Sequence, residues 1–378
     1  MGAVHEFLVE NELTPLLARP LCAKEKVVRF QESIACRRLM WVCLLVLSSF
    51  YASTARGQDP AGRDPAPETA PTLFPGGGLV SFNSGFTTRG LTSNPSEVIP
   101  LTARPTFSHA GVFIFRWGFH RDFDLTVLVP VITNHYEMAS PNGNLVSGGT
   151  GIGDAMLLVK YRFYRQDSER GTTQASVTFG PKLPTGRTDL NDVNGNRLPA
   201  SLQPGSGSTD FFLAANWTYT GLFNVKRLVA DGDFNSLVRS TGTQDTRLGI
   251  ELESRFWLSY TPYQSKDVKR EWLIGPSFVW MHRQDDMIAG VTQYGSGGGD
   301  LLAGITTFLG VRPGMHIWLR MDWDVAHSSN PGLVPGGHDH VLSGLHSNQS
   351  STTAPVVEHV PLRRCFTFGI TQQFRFHH

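Results

Sequence analysis

The sequence predicts an all-β protein, a closed antiparallel up-and-down transmembrane β-barrel of about 12 strands. Three observations favour this fold class. Apolar and polar residues alternate with a period of two in one run after another. Long and short connections between these runs largely alternate along the chain. The number of runs is even, as it is in bacterial outer-membrane barrels.

The clearest alternation lies in residues 151–186, where two alternating runs flank a short polar link. Tyr161 and Phe163 fall on one face of the first run, and Lys160 and Arg162 fall on the other. The cationic face needs water or paired charge, whereas the other face needs an apolar environment. A soluble sandwich meets both needs with a protein core, and a membrane barrel meets them with lipid outside and a wet lumen inside.

The first 57 residues are interpreted as an N-terminal extension followed by a secretory signal peptide. An apolar run at 39–50 follows Arg37 and Arg38 and precedes Ala55-Arg56-Gly57, which gives a charged region, an apolar region and a small-x-small cleavage site. Cleavage is expected after Gly57, and a buried core helix is the alternative. Residues 58–75 are rich in proline and are predicted to form a flexible lead-in to a barrel over residues 76–378.

The composition argues against several other classes of protein. The formal net charge is +1, so the chain has no basic footprint for nucleic acid. Three of the four cysteines lie in the first 57 residues, which leaves Cys365 without a partner for an internal disulfide in the mature chain. No apolar run reaches the ~20 residues that a spanning helix needs. Stability must therefore come from strand pairing and packing.

The first six predicted strands follow from alternation. They cover about residues 78–88, 110–119 and 122–133, two runs within 151–186, and 210–220. In the second strand, Phe113, Phe115 and Trp117 oppose Arg116. In the third, apolar residues from 123 to 131 alternate with Asp124 and other polar positions. Each run therefore has one apolar face and one polar face.

The last six predicted strands cover about residues 222–235, 245–259, 271–283, 300–311, 315–326 and 364–376. The alternation in 222–235 is the poorest. In the eleventh strand, Leu319 and Met321 oppose Arg320 and Asp322. Prolines within or beside strands are expected to mark bulges or strand ends, because proline cannot donate to the ladder; these are Pro130, Pro181, Pro184 and Pro276.

The connections favour a barrel over a sandwich. Long links at 89–109, 135–150, 185–209, 284–299 and 327–363 largely alternate with short links such as 120–121, 166–171 and 312–314. A jelly roll gives no reason for such alternation, whereas outer-membrane barrels have long loops at one end and short turns at the other. Because every backbone group must pair in lipid, the sheet must close.

Aromatic residues are placed as interfacial belts would need them. Trp217, Tyr219, Trp272, Trp280 and Trp323 lie on apolar faces, where a membrane interface favours amphipathic rings. The last strand ends in aromatic residues, the final one being Phe376. Outer-membrane lipid and, through this terminal strand, the barrel assembly machinery are the expected partners.

Five turn-and-strand motifs together resemble a known family. They lie at residues 151–154 (GIGD), 160–163 (KYRF), 180–186 (GPKLPTG), 203–210 (QPGSGSTD) and 217–220 (WTYT). From about Leu79 to the end, the chain is similar to the outer-membrane "MetA-pathway of phenol degradation" proteins. The resemblance implies a transporter-like barrel, in some cases for aromatic degradation substrates, and it implies no catalytic residues. No residue in the chain supports phenol itself as the substrate.

Charges opposite the apolar faces are the candidate lumen-lining residues. They are Arg116, Asp124, Lys160, Arg162, Lys182, Glu251, Glu253, Arg255, Arg320, Asp322, Asp324 and Arg375. Such charges could set selectivity through their field, or could form a neutralised salt-bridge network that plugs a narrow barrel. Because the signs are mixed, no strong ion preference follows.

Other motifs give only weak evidence for a metal or nucleotide site. His338 and His340 could bind a metal, but their Gly- and Pro-rich surroundings also suit a solvated loop. The glycines at 149, 151 and 153 precede a predicted strand, whereas a dinucleotide site needs a helix there. No cofactor is therefore expected.

The expected function is passive transport of small molecules, including aromatic or apolar ones, across the bacterial outer membrane, without enzyme activity. An outer-membrane hydrolase is one alternative, although no G-x-S-x-G motif supplies a nucleophile. A structural or adhesive barrel that binds through residues 327–363 is another.

Overall fold

A computed structural model describes residues 70–89, 92–93, 99, 101, 103–140, 143–169, 171–265, 270–312, 314–329 and 362–375. The predicted extension and signal peptide, residues 1–57, lie outside the described residues.

Twelve strands close into one antiparallel barrel, which confirms the predicted fold class. They are β1 (Gly77–Arg89), β2 (Phe107–His120), β3 (Phe123–Ser140), β4 (Met156–Asp167), β5 (Thr172–Lys182), β6 (Asp210–Thr220), β7 (Leu228–Val238), β8 (Glu251–Gln264), β9 (Glu271–Arg283), β10 (Gly298–Arg312), β11 (Met315–Ser329) and β12 (Leu362–Arg375). Each strand pairs with its neighbours in sequence, and β1 pairs with β12 to close the barrel.

The two ends of the barrel differ in their connections. At one end, which we call the short-turn end, β2 and β3 are joined by residues 121–122, and β10 and β11 by residues 313–314. At the opposite long-loop end, the connections include residues 183–209 and 284–297. The predicted alternation of long and short links is therefore present, and the start of β1 and the end of β12 both lie at the short-turn end.

Additional structure lies at the long-loop end. β3 pairs with β4 only as far as Leu128 and continues by pairing with a strand at Gly143–Ile152. A separate three-stranded sheet contains Thr246–Arg247, Asp286–Ile288 and Val291–Gln293. The remaining elements are a two-residue strand at Thr92–Ser93 and 3-10 turns at Ala200–Leu202, Leu222–Asn224 and Thr243–Asp245.

One predicted strand end and two predicted strand starts were wrong. The third strand runs to Ser140 rather than 133, because residues 131–140 pair with the strand at Gly143–Ile152, so much of the predicted loop at 135–150 is strand. The seventh strand begins at Leu228 rather than 222, because Phe223 and Asn224 adopt left-handed backbone conformations, with φ of 53° and 62°, that end any extended run. The eighth begins at Glu251 rather than 245, because Thr246–Arg247 pairs with the loop strand Asp286–Ile288 instead of β7.

The prolines only partly followed the prediction. Pro130 lies where β3 changes partner, Pro181 is the penultimate residue of β5, and Pro184 follows that strand. Pro276 lies inside β9, opposite Ile305 of β10, and the register does not shift beside it, so the expected bulge or strand end at this position was wrong.

The barrel buries polar side chains and exposes apolar ones. Buried polar residues on the inner face include Thr126, Ser176, Thr178, Asn216 and Thr371. Large exposed residues on the outer face include Phe113, Phe115, Phe163, Leu213, Phe278 and Val325. This distribution is the reverse of a soluble protein and suits a barrel with hydrocarbon around it. Within the described residues, no helix has the length and apolar character needed to cross a membrane.

Aromatic rings contact one another in sequence around the outer face near the short-turn end. The ring centroids of Trp117 and Phe119 are 5.8 Å apart, those of Phe119 and Phe123 are 5.9 Å apart, and those of Phe123 and Tyr161 are 4.6 Å apart. Rings at this level match the belt that a membrane interface favours.

Candidate functional site: the barrel interior

The structure gives a position to each of the twelve candidate lumen-lining charges. Six are buried on the inner face, namely Arg116, Asp124, Lys160, Arg162, Lys182 and Asp322. Five are half-buried there, namely Glu251, Glu253, Arg255, Arg320 and Asp324. Arg375 is exposed at the short-turn end, with its guanidinium carbon 5.2 Å from the centroid of the Phe74 ring.

At the short-turn end, one ion pair holds the segment that precedes β1. Arg116 of β2 binds Asp124 of β3 through Nε and Nη2, and the Nε to Oδ2 distance is 2.8 Å. Arg116 Nη2 also donates to the carbonyl of Pro71 at 2.8 Å, and Leu73 N donates to Asp124 Oδ1 at 2.9 Å. Two neighbouring strands thus bind the backbone of residues 71–73.

The same segment reaches the opposite wall. Ala70 N donates to Thr218 Oγ1 of β6 at 3.2 Å, and Thr218 in turn donates to Asp231 of β7 at 2.6 Å. Ala70 and Leu73 are 0% and 4% exposed, so the segment lies inside the mouth of the barrel. The proline-rich composition of residues 58–75 carried no sign of these contacts.

Glycine makes room for this segment. A Cβ on Gly118 of β2 would lie 2.6 Å from the carbonyl oxygen of Phe74 and 2.8 Å from Leu73 Cβ. A Cβ on Gly77 would lie 2.8 Å from the same carbonyl oxygen. Side chains at these two positions would force the segment out of place.

At the long-loop end, Lys182 joins two carboxylates. Its Nζ lies 2.6 Å from Asp154 Oδ2 and 2.8 Å from Asp210 Oδ2, and it donates to Ser206 Oγ at 2.5 Å. Asp154 also accepts hydrogen bonds from the backbone nitrogens of Gly186 and Ser206. The lysine therefore ties β5 and β6 to the loop at 183–209.

The charges continue around this end of the barrel. Arg239 lies 3.7 Å from Asp210 and 2.9 Å from Glu251. Glu251 lies 3.7 Å from Arg283, which binds Asp286 at 2.6 Å. Asp286 then binds Arg104, from the loop between β1 and β2, at 2.5 Å. We call this series, from Asp154 to Arg104, the rim network.

A small apolar cluster packs the loops beside the rim network. Tyr136 of β3, Ala103 of the first loop, and Leu198 and Leu202 of the loop at 183–209 are all buried together. Asn134 Nδ2 donates to the carbonyl of Leu202 at 3.3 Å. These loops therefore fold over the barrel rather than extend away from it.

Two rim carboxyls outside the twelve barrel strands have lowered pKa values. Burial opposes the ionisation of Asp154, but hydrogen bonds from Lys182 and Ser206 outweigh it and leave its pKa below the usual value. Burial likewise opposes the ionisation of Asp286, but the charges of Arg283 and Arg104 lower its pKa overall. Both groups are therefore carboxylates at neutral pH.

Between the two ends lies a cavity of about 230 Å³. One part of its wall is apolar and comes from β3, β4, β6 and β7, with Leu128, Met156, Leu158, Phe212, Ala214 and Leu237. The other part is polar and comes from β6, β7 and β8, with Asn216, Asp233, Asn235, Glu251, Glu253 and Arg255. The interior thus offers both an apolar surface and hydrogen-bonding groups to one molecule.

Sequence reasoning missed several interior charges. Asp154, Asp210, Arg239 and Asp286 lie at strand ends or in loops, where alternation assigns no face, and Arg104 lies in a loop. Asp231 and Asp233 belong to β7, whose alternation was too poor to place them. Asp231 and Asp233 lie two positions apart, and this spacing was the signal from which an inward polar face of β7 could have been predicted.

Other predicted sites cannot be placed. His338, His340 and Phe376 lie outside the described residues, so the metal and assembly-machinery interpretations stay predictions. Over the part of the chain that is described, no three His, Cys, Asp or Glu side chains come together as a metal site would need.

A closed barrel of twelve antiparallel strands, apolar outside and polar inside, defines the class of outer-membrane β-barrels. Within that class, the chain belongs to the family described as "Putative MetA-pathway of phenol degradation", whose model matches residues 105–332. The resemblance predicted from the turn-and-strand motifs is thereby confirmed.

Two solved structures are similar to this chain. An outer membrane channel from Pseudomonas putida F1 is 13% identical, with a TM-score of 0.50 over 82% of this chain and 99% of that chain. The β domain of the Bordetella autotransporter BrkA is 8% identical, with a TM-score of 0.39 over 79% of this chain and all (100%) of that chain. The likeness to the Pseudomonas putida F1 protein concerns the fold alone. No curated protein sequence matches the chain.

Proposed function

We propose that this protein is a passive outer-membrane channel for small molecules with an apolar or aromatic body. The interior cavity carries the proposal, because its wall is apolar on one side and polar on the other. Ligand sites of small molecules commonly combine an apolar lining with a few polar groups that fix orientation. A solute that crosses the membrane down its own concentration gradient needs such a path, and the protein need not catalyse a reaction.

The barrel exterior and the comparisons support the proposal. Exposed aromatic residues on the outer face suit insertion into a bilayer. The Pseudomonas putida F1 protein of the same fold is an outer membrane channel, and the family takes its description from a pathway of phenol degradation. Location in the outer membrane and transport of aromatic or apolar solutes follow as parts of the same proposal.

The test is solute flux through the purified chain. The protein is reconstituted into vesicles with a lipopolysaccharide outer leaflet, in which spontaneous entry of apolar solutes is slow, and the entry of toluene and benzyl alcohol is followed. We expect both solutes to enter faster than into protein-free vesicles. If the protein shows the heat-modifiable gel migration of a folded barrel but neither solute enters faster, the channel proposal is refuted.

Two neighbouring alanines offer a matched pair of variants. Ala214 lines the cavity, whereas Ala215 is exposed on the outer face of the same strand. Ala214→Phe should slow solute entry severalfold by filling the cavity, and Ala215→Phe should leave entry unchanged. Equal entry through both variants would remove the cavity from the path.

A further inference from the structure

One row of inner side chains crosses the polar wall of the cavity. Asn216 of β6 pairs directly with Asp233 of β7, and Asp233 pairs with Arg255 of β8. Directly opposed residues on one face of a sheet have Cβ atoms about 5 Å apart. The polar groups of Asn216 and Asp233 are therefore close enough to bind one group of a ligand.

Both side chains of this pair have an oxygen that lacks a donor. Asn216 uses its Nδ2 to donate to Thr178 Oγ1 at 3.1 Å, which leaves its Oδ1 without a partner among the described residues. Asp233 accepts from Asn235 Nδ2 at 2.9 Å through Oδ1, and its Oδ2 is likewise without a donor in the described part of the chain. Each residue is 3% exposed.

Two arginines near the pair, Arg255 and Arg320, already have carboxylate partners. Arg255 hydrogen-bonds to Glu253, and Arg320 lies 2.7 Å from Asp322. A buried acceptor without a donor is costly, and a donor from a bound molecule would remove that cost. We call Asn216 Oδ1 and Asp233 Oδ2 the acceptor pair. This pair favours ligands that carry a hydrogen-bond donor and disfavours ligands that carry only acceptors.

The apolar wall defines the rest of the ligand. Leu158, Phe212 and Leu237 line the same cavity as the acceptor pair. A dry apolar cavity of 150 Å³ accommodates benzene, so about 230 Å³ holds one ring with a short substituent. A molecule with both features would have a one-ring apolar body and a hydrogen-bond donor on a short arm.

We propose that Asn216 and Asp233 form a selective binding site inside the barrel for small amphipathic molecules that present a hydrogen-bond donor, either a hydroxyl or an ammonium group. This inference deepens the proposed channel function and rests on it. The acceptor pair binds the donor while the apolar wall contacts the ring. A carboxylate of the same size meets two acceptors and binds poorly.

The test compares four one-ring ligands of similar size. The full mature barrel is placed in lipid nanodiscs, and equilibrium dialysis gives the affinities of benzyl alcohol, benzylamine, toluene and benzoate. We expect at least one of the two donor ligands to bind about tenfold more tightly than toluene, and benzoate to bind most weakly. The order of benzyl alcohol and benzylamine identifies whether the preferred donor is neutral or cationic.

Two variants and one control assign the preference to the pair. Asp233→Asn and Asn216→Ala should each reduce the preference for the donor ligand over toluene to near onefold, and Asp233→Asn should also bind benzoate more tightly. Thr306→Val removes a buried inner hydroxyl outside this cavity and should keep the preference. Heat-modifiable migration checks the folding of each variant.

The outcomes separate this inference from the channel itself. A wild-type barrel that binds toluene as tightly as both donor ligands overturns the inference, even if it passes solutes. So does a preference that survives in both folded variants. A barrel that binds donor ligands selectively but speeds the entry of no solute refutes the channel and keeps the binding site.

Discussion

The two ends of the barrel hold their covering segments in different ways. At the short-turn end, one ion pair between adjacent strands, Arg116 with Asp124, binds the backbone of residues 71–73. At the long-loop end, the rim network spreads the same task over charges from several strands and loops. The first arrangement concentrates stability in two residues, and the second distributes it.

The difference follows from how many partners each charge has. Asp124 is 0% exposed, and its Oδ2 binds one arginine. Asp286 has two arginine partners, and Arg283 has a second carboxylate in Glu251. Loss of Asp124 at the short-turn end therefore removes the carboxylate that Arg116 binds. Loss of Asp286 at the long-loop end still leaves Arg283 beside Glu251. Four predictions test this contrast.

Asp124→Ala should have the largest effect, a loss of about 3–5 kcal/mol in the free energy of unfolding, because it removes the carboxylate from a buried arginine. Urea unfolding in vesicles measures the loss, and protease cleavage near residue 70 should increase. Asp189→Ala is the control, because Asp189 pairs with Arg187 in solvent and its loss should have no measurable effect. Equal unfolding midpoints for the two variants would contradict the concentrated arrangement.

Gly118→Ala should cost about 1–3 kcal/mol, because the added methyl overlaps the carbonyl of Phe74 and displaces the segment before β1. Gly85→Ala is the matched control in β1, since its Cβ would lie 3.5 Å from the nearest atom, an ordinary contact. Urea unfolding compares the two, with cleavage near residue 70 as the local readout. If both alanine variants behave alike, the segment does not depend on the space at Gly118.

Asp286→Asn should cost less, about 1–2 kcal/mol, because Arg283 keeps Glu251 and Arg104 keeps the carbonyl of Ser296. The same unfolding experiment measures it. Asp245→Asn serves as the control in the neighbouring loop, since Asp245 is exposed and its left-handed backbone suits asparagine. A loss as large as that of Asp124→Ala would show that the rim network is not distributed.

Acid should have the smallest effect, and at the long-loop end we expect it to act through Asp154 and Asp286. The pKa values of Asp154 and Asp286 are lowered in the folded protein, so their contribution is full above the usual aspartate pKa of about 4 and is lost as pH falls through the lowered values. Protease cleavage in residues 183–209 should stay constant from pH 8 to 5 and rise below about pH 4 when an acid-active protease is used. Asp286→Asn should flatten this rise, and an unchanged rise would remove Asp286 from the response.

Alternation predicted the wall of the barrel well because each strand contacts two different environments. The inward Arg116 and outward Phe115 are neighbours in sequence, and the structure buries the first and exposes the second. Where the backbone leaves the extended conformation, the signal ends. The turn at Phe223 and Asn224 shows this, since it displaced the predicted start of β7 by six residues, from 222 to 228.

The rim network and the acceptor pair were harder to predict for a different reason. Lys182 was predicted to face inward, but its partners Asp154 and Asp210 come from positions 28 residues away on either side. Asn216 and Asp233 meet only because β6 and β7 pair in one particular register. Contacts of this kind depend on where separate segments lie in space.

By itself, the sequence determined a twelve-stranded barrel, its outward and inward faces and its family. In a strand, neighbouring side chains point to opposite faces, so each residue type shows locally whether its face meets an apolar or a polar environment. Only the tertiary structure decided which charges pair, that residues 70–74 enter the short-turn end, and that an apolar and a polar wall enclose one cavity. Those features depend on the register between strands and on the paths of loops, which bring distant residues together without leaving a local pattern.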